Sequence, residues 1–354
     1  MAVAAYKTYS AGEILTASDL NASFSQIHNN GTAIAFPLTA SSSAGGFKIT
    51  SLAAGTNNGD AVRFEQLGTG VGLVNEFRLT LTTALPVTTG DVTAAETLYW
   101  TPYKGNRVAL YDGSSTWNVR TSIELSIDVP DVTGVHDVFV YDNGGTPALE
   151  VLVWTNETTR ATALTTQDGV LVKTGATTRR YVGTFYSTTA GNGQIEDSFA
   201  NRYLWNYYNR VARPMRALEA TNSWAYTLAT IRQANGSTAN QLNFVVGVSE
   251  DTVSANLTAA ASHSAGNVDF FAAIGQDSTT AVATGSLNIS PLELAANQIV
   301  PLASSLKAFP GIGKRFWAWL EWSQASGTTT WLGDNNASPT AGGTQAGIHG
   351  EILG

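Results

Sequence analysis

Along much of this chain apolar residues recur at every second position, the period of a strand with one buried face. Over 121–129, Ile123, Leu125, Ile127 and Val129 fall on one side and Ser122, Glu124, Ser126 and Asp128 on the other. The runs 137–141 and 149–154 flank Asn143, Gly144 and Gly145, residue types that accept the positive φ of a tight turn, so together they predict a hairpin. Further strands are predicted over 169–173, 178–186, 223–232, 241–248, 268–274 and 315–322, with a turn at Asn235-Gly236. Many short strands with frequent turn signals predict an all-β fold of the β-sandwich or jelly-roll kind. Residues 198–215 break the pattern. Their dense aromatics and Pro214 fit a short helix stopped near Pro214 or two aromatic strands; the reading taken is an irregular connector with one helical turn or more, dividing a first sandwich over 76–216 from a second over 217–354.

The N-terminal part follows a different period. Thr16 suits an N-cap, Asp19 stands at N3, and Leu15 and Leu20 have staple spacing. Ala17, Leu20, Phe24 and Ile27 then follow a 3-4-3 spacing, the seam of two heptads, until Asn29, Asn30 and Gly31 end it. A helix of about 14 residues is marginal alone in water. It therefore lies on its own domain or docks onto another chain. Residues 37–75 hold only scattered apolar side chains, among them Ile49, Leu52, Val62, Phe64 and Leu67, too few for a core. Such a stretch is a flexible linker, or it is ordered by wrapping around copies of itself.

Composition narrows the picture. Apolar residues make up 43% of 354, enough for a sizeable core, but charged residues make up only 13%, so hydroxyls, amides and neighbouring subunits must cover the surface. A net charge of −8 argues against nucleic acid, whose phosphates need a basic face. The absence of cysteine excludes disulfides and thiolate metal sites. No run of about 18 apolar residues is present for a membrane span, and the first residues lack the basic and apolar regions of a secretory signal, so neither membrane insertion nor export by that route is expected.

Residues 11–24, AGEILTASDLNASF, resemble the opening of phage tail-fibre and head-fibre proteins, which carry a G-x-x-L-T-A-x-D-L-N-x-x-F pattern. Gly46-Phe47-Lys48-Ile49-Thr50-Ser51-Leu52-Ala53-Ala54-Gly55-Thr56, followed by Asp60-Ala61-Val62 and Glu65-Gln66-Leu67, resembles a fibre element reading K-I-x-x-L-x-x-G-T, D-A-V and Q-L. The resemblance covers about a fifth of the chain. It implies a structural virion protein, made in the host cytoplasm: a virion-anchoring segment with a short helix (1–36), a trimeric fibre-like stalk (37–75) and a β-rich head. Ala17, Leu20, Phe24, Ile27, Ile49, Leu52, Val62 and Leu67 would then line the trimer or anchor interface. Fibres often repeat the element; here it stands once, which implies a short stalk. The implied partners are two further copies of the chain, other virion proteins of tail, collar or capsid, and a host surface glycan or protein. A head fibre or capsid decoration protein, and a polysaccharide depolymerase, stand as alternatives.

Catalytic motifs are sparse. The four histidines, His28, His136, His263 and His349, have no metal-binding spacing, Gly68–Gly72 lacks the Lys-Ser/Thr of a phosphate loop, and no G-x-S-x-G elbow occurs, so no cofactor or metal is expected. A depolymerase needs paired carboxylates. Glu124 with Asp128, and Glu196 beside Asp197, are the candidates, although acids on a polar strand face are ordinarily just solvated. Phe316 to Trp322 carries large side chains on both strand faces; Trp317, Trp319 and Trp322 are therefore core, subunit contact or receptor contact. Arg179, Arg180, Arg202, Arg210, Arg213 and Arg216 cluster in the central sequence, to pair with carboxylates across an interface or to solvate one face.

Overall fold

The period-2 runs become two large hydrogen-bonded sheets. The computed structural model describes residues 11–14, 16–18, 73–188, 193–291, 294–335 and 343–354. Contacts divide the chain into Met1–Arg63 and Phe64–Gly354. In the first unit Ala17 and Ser18 have helical backbone and are exposed. Leu20, Phe24, Ile27, Ile49, Leu52 and Val62 lie outside the described residues, as does Leu67 of the second unit.

The second unit is all β. Its seven-stranded sheet runs Ala212–Leu218, Gly347–Leu353, Val253–His263, Val300–Ala308 and Leu287–Asn288, with Thr329–Leu332 and Ser223–Tyr226 attached beyond Val253–His263. In Val253–His263 the odd-numbered residues Val253, Ala255, Leu257, Ala259 and Ala261 are buried, whereas Ser254, Asn256, Thr258 and Ser262 are exposed or half-buried. The thirteen-stranded sheet includes Gly313–Ser323, which is paired with Phe270–Gln276 on one side and with Gln241–Val246 and Arg232–Gln233 on the other. Aromatic contacts join the two sheets: Trp224 meets Trp319 at 5.7 Å and Phe270 meets Trp331 at 6.4 Å between ring centroids. Side chains of this size stabilise by about 1.5–3 kcal/mol each when fully buried.

The hairpin predicted around Asn143, Gly144 and Gly145 forms. Gly134–Asn143 pairs with Thr146–Val153, Asn143 opposes Thr146, and Gly144 and Gly145 turn the chain at φ of 65° and 99°. The run over 121–129 is less regular. Only Leu125–Asp128 is a strand, and Ile123 is 81% exposed, because Trp117–Thr121 leaves to pair with Arg107–Tyr111 in a separate two-stranded sheet.

Two expectations are corrected. The boundary at 216/217 falls inside the Ala212–Leu218 strand, which pairs with Gly347–Leu353 along its whole length, while Asn201–Arg202 pairs in parallel with Gln241–Val246. Strands from both halves share both sheets, so Phe64–Gly354 is one compact unit instead of two sandwiches. Residues 198–215 contain no helical turn: they form Asn201–Arg202, Leu204–Asn206 and the start of Ala212–Leu218. The physical cause is the burial of Tyr203, Trp205 and Met215 in the common core, which an extended backbone allows at alternate positions.

Candidate functional site

The strand Gly313–Ser323 separates its tryptophans by face. Trp317 and Trp319 are fully buried beside Phe244 and Trp224, so they are core and cannot meet a receptor. Trp322 points to the other face, half-buried, with its ring stacked on Phe271 at 5.5 Å and 15°. Phe271 is its direct cross-strand neighbour. Of the three tryptophans singled out in the sequence, Trp322 alone retains a surface.

The same outer face carries a feature that no motif announced. In Gln241–Val246, Leu242 and Phe244 enter the core, and the alternation therefore turns Gln241 and Asn243 outward. Gln233 donates through Nε2 to Oε1 of Gln241 at 2.9 Å, and Gln241 donates to Oδ1 of Asn243 at 2.7 Å. Asn243 donates through Nδ2 to Oδ1 of Asn201 at 2.8 Å, and Asn201 donates to Oε1 of Glu196 at 2.8 Å. Four side-chain amides thus form one directional chain ending on a carboxylate, an arrangement in which each hydrogen bond polarises the next. Gln233 also donates to the carbonyl of Asn240, while Gln241, Asn243 and Asn201 are half-buried and each use one N–H within the chain of amides. Phe316 is the cross-strand neighbour of Asn243 and is itself half-buried.

Three of the four carboxylates considered for catalysis are engaged within the fold. Glu124 accepts hydrogen bonds from the Thr83 and Thr101 hydroxyls and the Ala84 amide, which hold its pKa below the ordinary value against burial. Asp197 is buried between Arg202 and Arg213. Glu196 accepts from Ser198 and Asn201. Asp128 is exposed and lines a shallow cleft with Glu96 and Asp131. Among the described residues no group of three or more His, Asp or Glu is placed to hold a metal ion. His136 is buried, stacked on Phe185, and donates through Nδ1 to the Gly134 carbonyl; burial lowers its pKa and favours the neutral ring.

The arginine cluster is largely used within the chain. Arg179 pairs with Glu150, Arg210 with Glu250 and Asp251, and Arg202 and Arg213 with Asp197. Arg216 is exposed and lies over the Phe199 ring at 4.1 Å. A further arginine outside that cluster, Arg160, borders an open groove of about 440 Å³ whose walls include Leu164, Leu171, Val248 and Ile312. Its guanidinium is bound from behind by Asp137 at 2.7 Å and by the Gly247 carbonyl, and it lies 4.5 Å over Trp154.

No protein-family model and no curated protein matches this chain. Among solved structures it is similar to a tryptic core variant of Bacillus thuringiensis Cry1Da, at 8% identity and a TM-score of 0.20, covering 80% of this chain and 53% of that one. It is also similar to the insecticidal delta-endotoxin Cry8Ea1 from Bacillus thuringiensis (7% identity, TM-score 0.23, 83% and 56% covered) and to infectious bursal disease virus strain Gx (10%, 0.23, 79% and 70%). The chain spans about half the length of the two toxin structures. At such TM-scores these likenesses carry no weight for function.

Proposed function

We propose that this chain is a structural virion protein of a bacteriophage, a trimeric tail-fibre or spike subunit that attaches through its N-terminal segment and presents its β-rich body to the host. The observation that carries this reading is the succession of two fibre-like patterns, residues 11–24 and 46–67, ahead of a large β body. The apolar positions of the second pattern gain a core when three copies share them. Two properties of the body agree with a mechanical role. Its aromatic core joins both sheets, and its candidate catalytic carboxylates Glu124, Glu196 and Asp197 hold the fold together through hydrogen bonds and ion pairs.

Light scattering on the full chain tests the reading. A particle of threefold the chain mass is expected at micromolar concentration, and replacing Leu52 and Val62 together by Asp should reduce it to monomer. A monodisperse monomer of the unaltered chain would sink the trimer. Immunogold labelling of intact particles should then find the protein on the virion, and labelling confined to unassembled host lysate would remove the virion assignment.

A further inference from the structure

We propose that the outer face built on Gln241, Asn243 and Asn201 binds an uncharged, polyhydroxylated ligand, a neutral glycan; as the point of host contact it rests on the fibre reading above. An amide side chain has two N–H donors and a carbonyl with two lone pairs. The relay from Gln233 to Glu196 uses one N–H and one lone pair of each of these three amides, and no described residue takes the others. What remains on each is one donor beside one acceptor, the complement of a sugar hydroxyl, which both gives and takes a hydrogen bond.

Position is fixed as well as chemistry. The amides stand on two adjacent strands in register, Asn201 opposite Asn243 and Gln241 two residues further along, and the relay holds each side chain in one orientation. A ligand therefore meets groups whose ordering cost was met on folding, which favours affinity. Beside them, the half-buried ring of Phe316, opposite Asn243, offers apolar surface for the C–H side of a sugar ring.

Charge sets the class of ligand. The relay contains no cation, and it ends on the Glu196 carboxylate. The cation on the same face, Lys314, is already paired with Glu157 at 2.8 Å, so a uronate or phosphorylated sugar would bring a second negative charge that no free cation balances, and neutral sugars are selected partly by repulsion of acidic ones. The backbone pairing between Asn201–Arg202, Gln241–Val246 and Gly313–Ser323 already holds the strands together, so the amides are not needed to keep the sheet closed.

The test uses the full chain on an array of immobilised neutral oligosaccharides and of carboxylate- and phosphate-bearing ones. The variants are Gln241→Ala, Asn243→Ala and Asn243→Asp, with Lys307→Ala on the other sheet as control. Retention on one or more neutral glycans is expected, falling about tenfold in the two alanine variants, the size of one lost hydrogen bond. A larger loss is expected for Asn243→Asp, which cannot donate to Asn201, and no change for Lys307→Ala. Far-UV circular dichroism and melting should stay as in the parent, and if one alanine variant unfolds the other still decides. Retention of no neutral glycan, equal retention of acidic ones, or retention indifferent to all three substitutions overturns the proposal. So does a fall in particle mass on Asn243→Ala, which would make the face a subunit contact. A monomeric parent that still retains neutral glycans would remove the trimer and leave the glycan site standing.

Discussion

Arg180 donates through Nη1 to the carbonyl of Ala109 at 2.8 Å, a bond made by a guanidinium that is 1% exposed and faces no carboxylate. The same nitrogen donates to the Val74 carbonyl at 2.9 Å, Tyr208 lies 4.5 Å beneath, and burial lowers the pKa. One side chain thus fastens two segments to the Ala176–Ser187 strand: the chain near Val74 and the hairpin of Arg107–Tyr111 and Trp117–Thr121. Arg180→Ala would leave two buried carbonyls unpartnered and open a cavity, while removing an uncompensated buried charge. The net expectation is a loss of about 3 kcal/mol in urea unfolding. The Ala109 amide, bonded to Val74, should lose most of its hydrogen-exchange protection.

The two faces of Gly313–Ser323 predict unequal costs. Trp319→Ala removes a fully buried ring between the sheets and should destabilise by about 3–5 kcal/mol. Trp322→Ala disturbs a half-buried surface pair and should cost about 1 kcal/mol. Thermal melts of the two variants compare them directly, and equal shifts would contradict the assignment of the faces.

Asp112 gives the hairpin an acid limit. Its Oδ1 accepts from the amides of Ser114, Ser115 and Thr116, and these bonds lower its pKa from 3.8 to about 2. Because the folded pKa is depressed, the stabilisation is complete above about pH 4 and is lost as pH falls through 2. Carboxyl chemical shifts should place its midpoint near 2, and Asp112→Asn should abolish the pH-dependent loosening of this turn. A midpoint near 4 would show that the three bonds do not persist in solution.

Gly247 has no room for a side chain. A Cβ there would overlap the Tyr181 hydroxyl, which bonds Thr184, which in turn donates to Asp137, and the Gly247 carbonyl itself accepts from Arg160. Gly247→Ala should therefore displace a buried network and destabilise by about 2–3 kcal/mol. A melting temperature unchanged from the parent would mean that the neighbouring backbone can move aside.

The legibility of the fold varied with the range of its interactions. The Asn143–Thr146 hairpin is plain in the sequence because its turn chemistry and both strands lie within about 20 residues. Val253–His263 is harder to see because three of its core-facing positions, Ala255, Ala259 and Ala261, are alanine, which carries little hydrophobic signal. The segment 198–215 is hard to read locally because Tyr203 and Trp205 pack into a core built largely by strands remote in sequence. In the candidate site, Gln241 and Asn243 showed their common face through alternation, but nothing joined them to Asn201.

The sequence by itself determined an all-β body, the absence of disulfides and thiolate metal sites, and an N-terminal region with two fibre-like patterns. These follow from local periodicity, composition and short motifs. Only the tertiary structure decided that Trp317 and Trp319 are core while Trp322 is not, that the two strand-rich halves are one unit, and that four amides and Glu196 share a face. The reason is physical. Alternation fixes which side chains share a strand face, but whether that face is covered depends on strands brought in from remote parts of the chain. Asn201 and Asn243 become neighbours through a parallel pairing that no local signal encodes.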